Sequence, residues 1–270
     1  MFKNKRGLII LLLCIILAAA LIFFLVNNRT NDEKTHTSST SQSHEKKKEN
    51  VPVTDEYGPE KLTSEGQKIK QKNWGTYTLL KDYTINQTFN VYPMSITVKN
   101  VRIISMDGLT DDTKELLSQY TGLTYEEAME AYQDDHLSME EMDQKVAYSK
   151  SEIDDKGIAY IELTYQAKNT STKEIQFFSL ERVTFNPGGT SYDVPDKNFI
   201  FSEDTFMGTS SVSKIDYRAN EERKGIVGLL NDRGENLKDL TSFTFTTSPV
   251  SDGDSHAEIT PAKTFTIQLK

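Results

Sequence analysis

Residues 159–168 have the sequence AYIELTYQAK, in which Ala159, Ile161, Leu163, Tyr165 and Ala167 occupy every second position. Successive side chains of a β-strand point to opposite faces of its sheet, so a period of two is typical of a strand with one buried face. The sequence therefore predicts a half-buried strand here, and a β-rich domain around it.

The same pattern recurs up to the C-terminus. Phe265, Ile267 and Leu269 alternate with threonine and glutamine. Runs rich in apolar and β-branched residues, separated by turn-forming Asn, Ser, Thr, Pro and Gly, predict further strands at residues 175–185, 212–217, 226–230 and 243–247.

The apolar phase changes inside residues 96–104. Ile96 and Val98 share one phase, whereas Val101 and Ile103 share the other. One extra residue near Lys99 and Asn100 would return both pairs to the same face, so a β-bulge is predicted there. Seven or eight such strands predict a mainly β fold, an antiparallel sandwich of two sheets.

Residues 107–155 interrupt this β pattern with acidic helices. They contain fifteen acidic side chains and three lysines, a net charge of −12, whereas the whole chain carries −9. Thr124 with Glu127 and Ser138 with Glu141 have capping-box spacing, and another helix is predicted at residues 111–120. The block is predicted to be a small helical insertion in the sandwich, and its charge opposes nucleic-acid binding.

Residues 8–26 form an uncharged apolar run of 19 residues. At about 1.5 Å per residue such a helix matches the bilayer core, so a single transmembrane helix is predicted. Lys3, Lys5 and Arg6 place the N-terminal tail, residues 1–7, in the cytoplasm. Residues 27–73 are polar and predicted to be a disordered tether, which leaves residues 74–270 as an extracytoplasmic domain on the cell membrane.

The apolar run has two alternative interpretations. A cleaved signal peptide would use small residues such as Ala18 to Ala20, but the apolar run continues to Val26 beyond them. A lipoprotein would need a small residue before the modified cysteine near the end of the run, whereas Leu13 precedes Cys14 in its middle. Because Cys14 is the only cysteine, the chain has no internal disulfide.

The sequence contains no recognisable catalytic or cofactor motif. A short acidic stretch at residues 252–258 and another at 154–157 present oxygen ligands, but neither fits a calcium loop, and polar turns are the preferred interpretation. His136 is interpreted as a solvent-facing loop residue. We therefore predict no catalytic residue, no metal site and no cofactor.

The strand at residues 160–169, the segments at 177–180 and 219–230, and Tyr192 resemble a known family. It is the telokin-like, immunoglobulin-like domain family of uncharacterised Gram-positive membrane-anchored surface proteins. The resemblance covers residues 158–270 and implies an immunoglobulin-like β-sandwich. The chain departs from it because it has no lipoprotein cysteine signal and carries the acidic insertion.

The leading hypothesis is a non-enzymatic, membrane-anchored binding module whose acidic insertion attracts a basic surface protein or wall component. Its candidate contact residues are Glu126, Glu127, Glu140 and Glu141. The first alternative is a hydrolase of an envelope polymer with paired carboxylates, which requires a cleft containing two convergent acids. The second alternative is an accessory subunit of a membrane protein assembly that makes contact through the spanning helix.

Overall fold

The structure, a computed structural model, describes most of one compact unit that spans residues 50–270. The described residues are 51–186, 188–205, 215–234 and 236–270. Among them, no helix is both long enough and apolar enough to cross a membrane. The predicted tail, the predicted spanning helix and the predicted tether as far as residue 50 lie outside the described residues.

The largest sheet has six strands. In spatial order they are β1 (Val53–Thr54), β2 (Lys68–Gln71), β3 (Gly75–Val91), β4 (Met94–Asp107), β5 (Ile158–Asn169) and β10 (Glu222–Leu230). β1 pairs with β2 in parallel, and the other neighbours are antiparallel.

Two smaller antiparallel sheets have four strands each. One runs β14 (Thr264–Gln268), β11 (Ser242–Thr246), β7 (Arg182–Phe185), β8 (Ser191–Asp193). The other runs β13 (Glu258–Thr260), β12 (Val250–Asp252), β6 (Ile175–Phe177), β9 (Ile215–Tyr217).

The main hydrophobic core joins one face of the six-stranded sheet to the two smaller sheets. Ile161, Leu163 and Tyr165 of β5 enter this core, as do Phe185 of β7 and Phe243 of β11. The alternation in residues 159–168 thus correctly predicts which side chains of β5 face the main core. The protein is mainly β, with antiparallel sheets arranged as a β-sandwich and few helices.

The predicted bulge is present in β4. Val98 pairs with Tyr165 of β5, but the next register pair is Asn100 with Thr164, which leaves Lys99 as the extra residue. Val98 and Val101 on either side of the bulge both enter the main core. The prediction from the phase change is confirmed.

A second core covers the opposite face of the six-stranded sheet near one end. It contains Leu62 and Ile69 from the N-terminal segment, Leu117 from the insertion, and Tyr160 from β5. Because this extra layer covers both Tyr160 and Glu162, β5 is buried on both faces there. The prediction of a half-buried strand was wrong for this part of β5.

The insertion contains three helices. They are α1 (Asp111–Ser118), α2 (Tyr125–Ala131) and α3 (Met139–Ser149), and a single turn, α4 (Val194–Lys197), lies further along the chain. The helix predicted at residues 111–120 ends two residues earlier. Both predicted capping boxes are formed, at the start of α2 and of α3.

Two further predicted boundaries differ from the structure, and a third is not tested. The tether prediction extends too far, since β1, a 3₁₀ turn at Gly58–Lys61 and β2 all precede residue 74. The strand predicted at 175–185 is two strands in different sheets, because the backbone N–H of Phe178 donates to the hydroxyl of Ser248 and the chain changes sheet there. Of the strand predicted at 212–217, residues 212–214 lie outside the described residues.

Candidate functional site

The four glutamates predicted to bind a partner divide into two kinds. Glu126 and Glu140 project into solvent from the first turns of α2 and α3. Glu127 and Glu141 instead cap these helices, since each carboxylate accepts the backbone N–H of the N-cap residue, Thr124 or Ser138, at 2.8 Å. Glu126 and Glu140 can therefore contact a partner without disturbing a helix N-terminus, whereas Glu127 and Glu141 cannot.

Glu127 is also tied to the sandwich. Nη2 of Arg233 lies 2.9 Å from Oε1 and 2.8 Å from Oε2 of its carboxylate. Burial by itself would raise the pKa of Glu127, but the hydrogen bonds from Arg233 and Thr124 outweigh it and hold the pKa below its usual value. Glu127 therefore stays ionised and fastens α2 to residue 233.

A small acidic pocket lies between α2 and the strands β7 and β8. Its volume is about 190 Å³, and Glu126, Glu130, Arg182 and Asp193 are among the residues that line it. Burial raises the pKa of Asp193 to about 6, with a further contribution from the negative charge of Asp196. Glu126 approaches the Arg182 guanidinium only to 4.0 Å. The pocket therefore concentrates negative charge that its single arginine balances only in part.

Large apolar side chains are exposed on the same helices. The exposed fractions are 38% for Tyr125, 53% for Met129, 76% for Met139 and 85% for Tyr148. Methionine and tyrosine are common at protein interfaces, and the flexible methionine side chain adapts to irregular partner surfaces. The insertion thus presents carboxylates together with apolar side chains.

The two acidic stretches, at residues 252–258 and 154–157, contain turns stabilised by their own hydrogen bonds. Oδ1 of Asp252 accepts the backbone N–H groups of Asp254 and Ser255, and Oδ1 of Asp154 accepts the backbone N–H of Lys156 at 2.8 Å. His136 is in the left-handed region, at φ 51°, after a 3₁₀ turn. Within the described ranges, no three His, Cys, Asp or Glu side chains are arranged to hold a metal ion.

A buried ion pair, which the sequence reasoning missed, fastens the N-terminal segment to the sheet. Nε of Arg102 donates to Oε1 of Glu162 at 2.9 Å, and its Nη1 donates to the carbonyls of Pro59 and Leu62 at 3.1 and 3.2 Å. The hydroxyl of Tyr57 donates to Oε2 of Glu162 at 2.6 Å. We call this group the Arg102–Glu162 latch. The only hint of it in the sequence is a glutamate among the alternate polar residues of β5.

Another buried carboxylate, Asp204, lacks such partners. It is fully buried, and neither of its oxygens receives a hydrogen bond of acceptable geometry. Burial raises its pKa to about 7, although the nearby hydroxyls of Ser179 and Tyr165 and the charge of Arg223 oppose this rise. Asp204 is therefore a titratable group inside the protein.

No protein-family profile matches the chain, and no curated protein is similar to it in sequence. Several solved structures are similar in part. A functionally unknown protein from Listeria monocytogenes EGD-e has 14% identity and a TM-score of 0.40, over 72% of this chain and 87% of that one. A conserved hypothetical protein from Bacillus anthracis has 12% identity and a TM-score of 0.34, over 70% and 96%.

The third similar structure is an uncharacterised β-sandwich protein from Clostridium difficile 630, with 13% identity and a TM-score of 0.28, over 70% of this chain and 93% of that one. All three proteins come from Gram-positive bacteria, and their descriptions assign no function. The immunoglobulin-like family assignment stays a prediction.

Proposed function

We propose that this protein is a non-enzymatic binding module, displayed outside the cell membrane on a single N-terminal anchor. The anchor is residues 8–26, and the basic residues before it set the orientation. The domain is an immunoglobulin-like sandwich of the telokin-like type. The support for this part is the apolar run, the polar tether and the strand pattern from residue 158 onward.

The contact surface is the acidic insertion. The observation that carries this proposal is the combination of exposed carboxylates, including Glu126 and Glu140, with the exposed side chains of Met129, Met139 and Tyr148. Negative charge steers a positively charged partner towards the insertion, and the apolar side chains provide area to bury once contact is made. The partner is a basic surface protein or wall component.

A test of this surface must spare the fold. Deleting residues 107–155 would remove Leu109, Leu117, Tyr120 and Ile153 from the second core, so loss of binding would be uninformative. The better change is Glu126→Lys with Glu140→Lys, which reverses two exposed charges and leaves both capping boxes intact. Glu258→Lys, an exposed reversal on β13, is the matched control.

The measurement is cross-linking on intact cells that display the full-length chain, followed by quantitative mass spectrometry. We expect the double variant to lose a basic cross-linked partner that the wild type and Glu258→Lys both retain. Unchanged cross-links in all three samples would refute the role of the insertion.

The anchor is tested separately. Protease added to intact cells should digest the domain, while a tag placed before Lys3 remains protected. Protection of the domain would refute the orientation, and release of the full-length chain by alkaline carbonate would refute the spanning helix.

A further inference from the structure

β10 is the last strand of the six-stranded sheet, so one of its two edges faces away from β5. Odd-numbered residues make the ladder with β5, as the flanking backbone bonds of Glu221 and Asn231 show. Backbone groups alternate between the two edges of an antiparallel strand, so the outer edge carries those of Lys224, Ile226 and Gly228. An uncovered edge of this kind is a template for pairing with another chain, and proteins usually cover it.

Side chains rather than a strand cover this outer edge. Oε2 of Glu203 accepts the backbone N–H of Lys224 at 2.9 Å, and Oγ of Ser202 accepts that of Ile226 at 3.0 Å. The hydroxyl of Thr205 donates to the carbonyl of Ile226 at 3.1 Å. Three side chains from one short stretch thus take the place of a neighbouring strand.

Residues 202–205 form a tight turn, which we call the edge guard. The hydroxyls of Ser202 and Thr205 lie 2.6 Å apart, and the backbone N–H of each residue donates to the carbonyl of the other. Ile200, two residues earlier, is buried in the second core, whereas Phe201 is 67% exposed. The chain therefore leaves the second core before the guard begins, and the guard can move as a unit without disturbing that core.

The next N–H along the same edge has a fixed cover. Oδ1 of Asn198 accepts the backbone N–H of Gly228 at 2.8 Å, and Nδ2 of Asn198 donates to the carbonyl of Ile200 at 2.7 Å. Phe199 belongs to the second core, where its ring centroid lies 5.1 Å from that of Tyr160. The outer edge of β10 thus has a fixed cover at one end and the guard at the other.

Asp204 carries its carboxylate from the guard into the interior. It is fully buried, and neither of its oxygens receives a hydrogen bond of acceptable geometry. The groups that face it are the hydroxyls of Tyr165 on β5 and of Ser179 between β6 and β7, the guanidinium of Arg223 on β10, and the carboxylate of Glu203. Nε and Nη2 of Arg223 donate to other acceptors, at 2.9 and 2.7 Å, so Arg223 acts on Asp204 only through its charge.

The proton on Asp204 favours the seated guard. Burial raises the pKa of Asp204 to about 7, whereas the carboxyl of an opened guard would lie in water and ionise near its ordinary value. Each pH unit between these two values therefore favours the open guard by about tenfold. The guard is seated at low pH and loses this support as the pH rises through the folded pKa. Local openings of this kind need less free energy than global unfolding.

We propose that the edge guard is a pH-operated switch, which covers the outer edge of β10 while Asp204 is protonated and exposes it once Asp204 is ionised. When the guard opens, the backbone groups of Lys224 and Ile226 reach solvent, whereas Asn198 still covers Gly228. The switch uses neither the acidic insertion nor the anchor, so it does not depend on the proposed function.

The test is hydrogen exchange of the full-length chain in detergent from pH 5 to pH 8, resolved to single amides by mass spectrometry and corrected for the intrinsic rate at each pH. Ile226 reports the guard, and Gly228 is the matched amide on the same edge. The protection of Ile226 should fall by about a hundredfold over this range, to at least about tenfold below that of Gly228 at pH 8. Low urea concentrations should leave the protection of Ile226 unchanged, because opening of the guard exposes little surface.

Two variants assign the pH dependence to the guard. Asp204→Asn keeps a neutral group of similar shape in place and should make the protection of Ile226 nearly independent of pH. Asp254→Asn, an exposed acid in the turn after β12, is the matched control and should keep the wild-type profile.

Three results would overturn the proposal. One is equal protection of Ile226 and Gly228 at pH 8, a comparison that needs no variant. Another is a pH profile that Asp204→Asn leaves unchanged. The last is a loss of protection at Ile226 that grows with urea as steeply as at Val227, whose backbone pairs with β5, because the edge would then be uncovered only by global unfolding.

Discussion

Replacement of Asp204 by Asn should make the stability of the protein much less sensitive to pH. Asp204 is fully buried, and its pKa is raised from 3.8 to about 7. In the unfolded chain the carboxyl ionises near its ordinary value, so the folded state holds a proton that the unfolded state releases between these two pH values. The resulting stability is fully present below the unfolded pKa and is lost as the pH rises through the folded pKa.

The size of this effect follows from the shift. About three pKa units at 1.36 kcal/mol each correspond to about 4 kcal/mol, lost mainly between pH 4 and pH 7. The groups that influence Asp204 electrostatically are Ser179, Tyr165, Arg223 and Glu203. An amide at position 204 has no proton to release, so the variant should lose this dependence.

The assay is urea unfolding of the full-length chain in detergent at each pH unit from 4 to 8, followed by the fluorescence of Trp74, the only tryptophan. The amide can change the free energy of unfolding by a constant amount at every pH. This constant cancels when the difference in unfolding free energy between variant and wild type is compared from one pH to another. The free energy of unfolding of the variant, relative to that of the wild type, should increase by about 4 kcal/mol as the pH rises. A difference that is the same at all pH values would show that Asp204 ionises normally, and would refute the reasoning.

Three further predictions concern stability, each measured by urea unfolding. Arg102→Met should cost about 3 to 5 kcal/mol because it leaves a buried carboxylate unpaired. Gly225→Ala should cost about 1 to 3 kcal/mol or more, since a Cβ there would lie 2.0 Å from the ring of Tyr165; a neutral result would mean that the ring can move. Ser138→Ala and Thr124→Ala should each cost about 1 kcal/mol through loss of a helix cap, and an unchanged midpoint would contradict the capping geometry.

Local patterns in the sequence predicted the parts of the fold that local rules control. The phase change between Val98 and Val101 predicts the bulge because both side chains must face the same core. A single extra residue is the smallest change to the strand that allows this. The capping boxes succeeded for a similar reason, since Ser138 and Glu141 satisfy each other within one turn. Neither prediction needed knowledge of the distant parts of the chain.

The features that were missed depend on partners far away in sequence. Residues 51–73 have little apolar periodicity, and they are ordered because Arg102 and Glu162 fasten Tyr57, Pro59 and Leu62 to the sheet. The polar phase of β5 predicted an exposed Glu162, whereas an added layer covers it.

The N-terminal segment also determines how the domain would respond to mechanical load. A pull on the chain ahead of Val53 acts along β1, whose short parallel pairing with β2 covers only Val53 and Thr54 and is flanked by backbone hydrogen bonds from Lys70 and Lys72. Next in line is the Arg102–Glu162 latch, and only then the long ladder of β3 and β4. Glu60 and Leu62 would leave with this segment, so tension would expose the buried Glu162 before it unravels the sandwich. Single-molecule pulling should register this step as a short first extension at low force, absent when a disulfide joins β1 to β2.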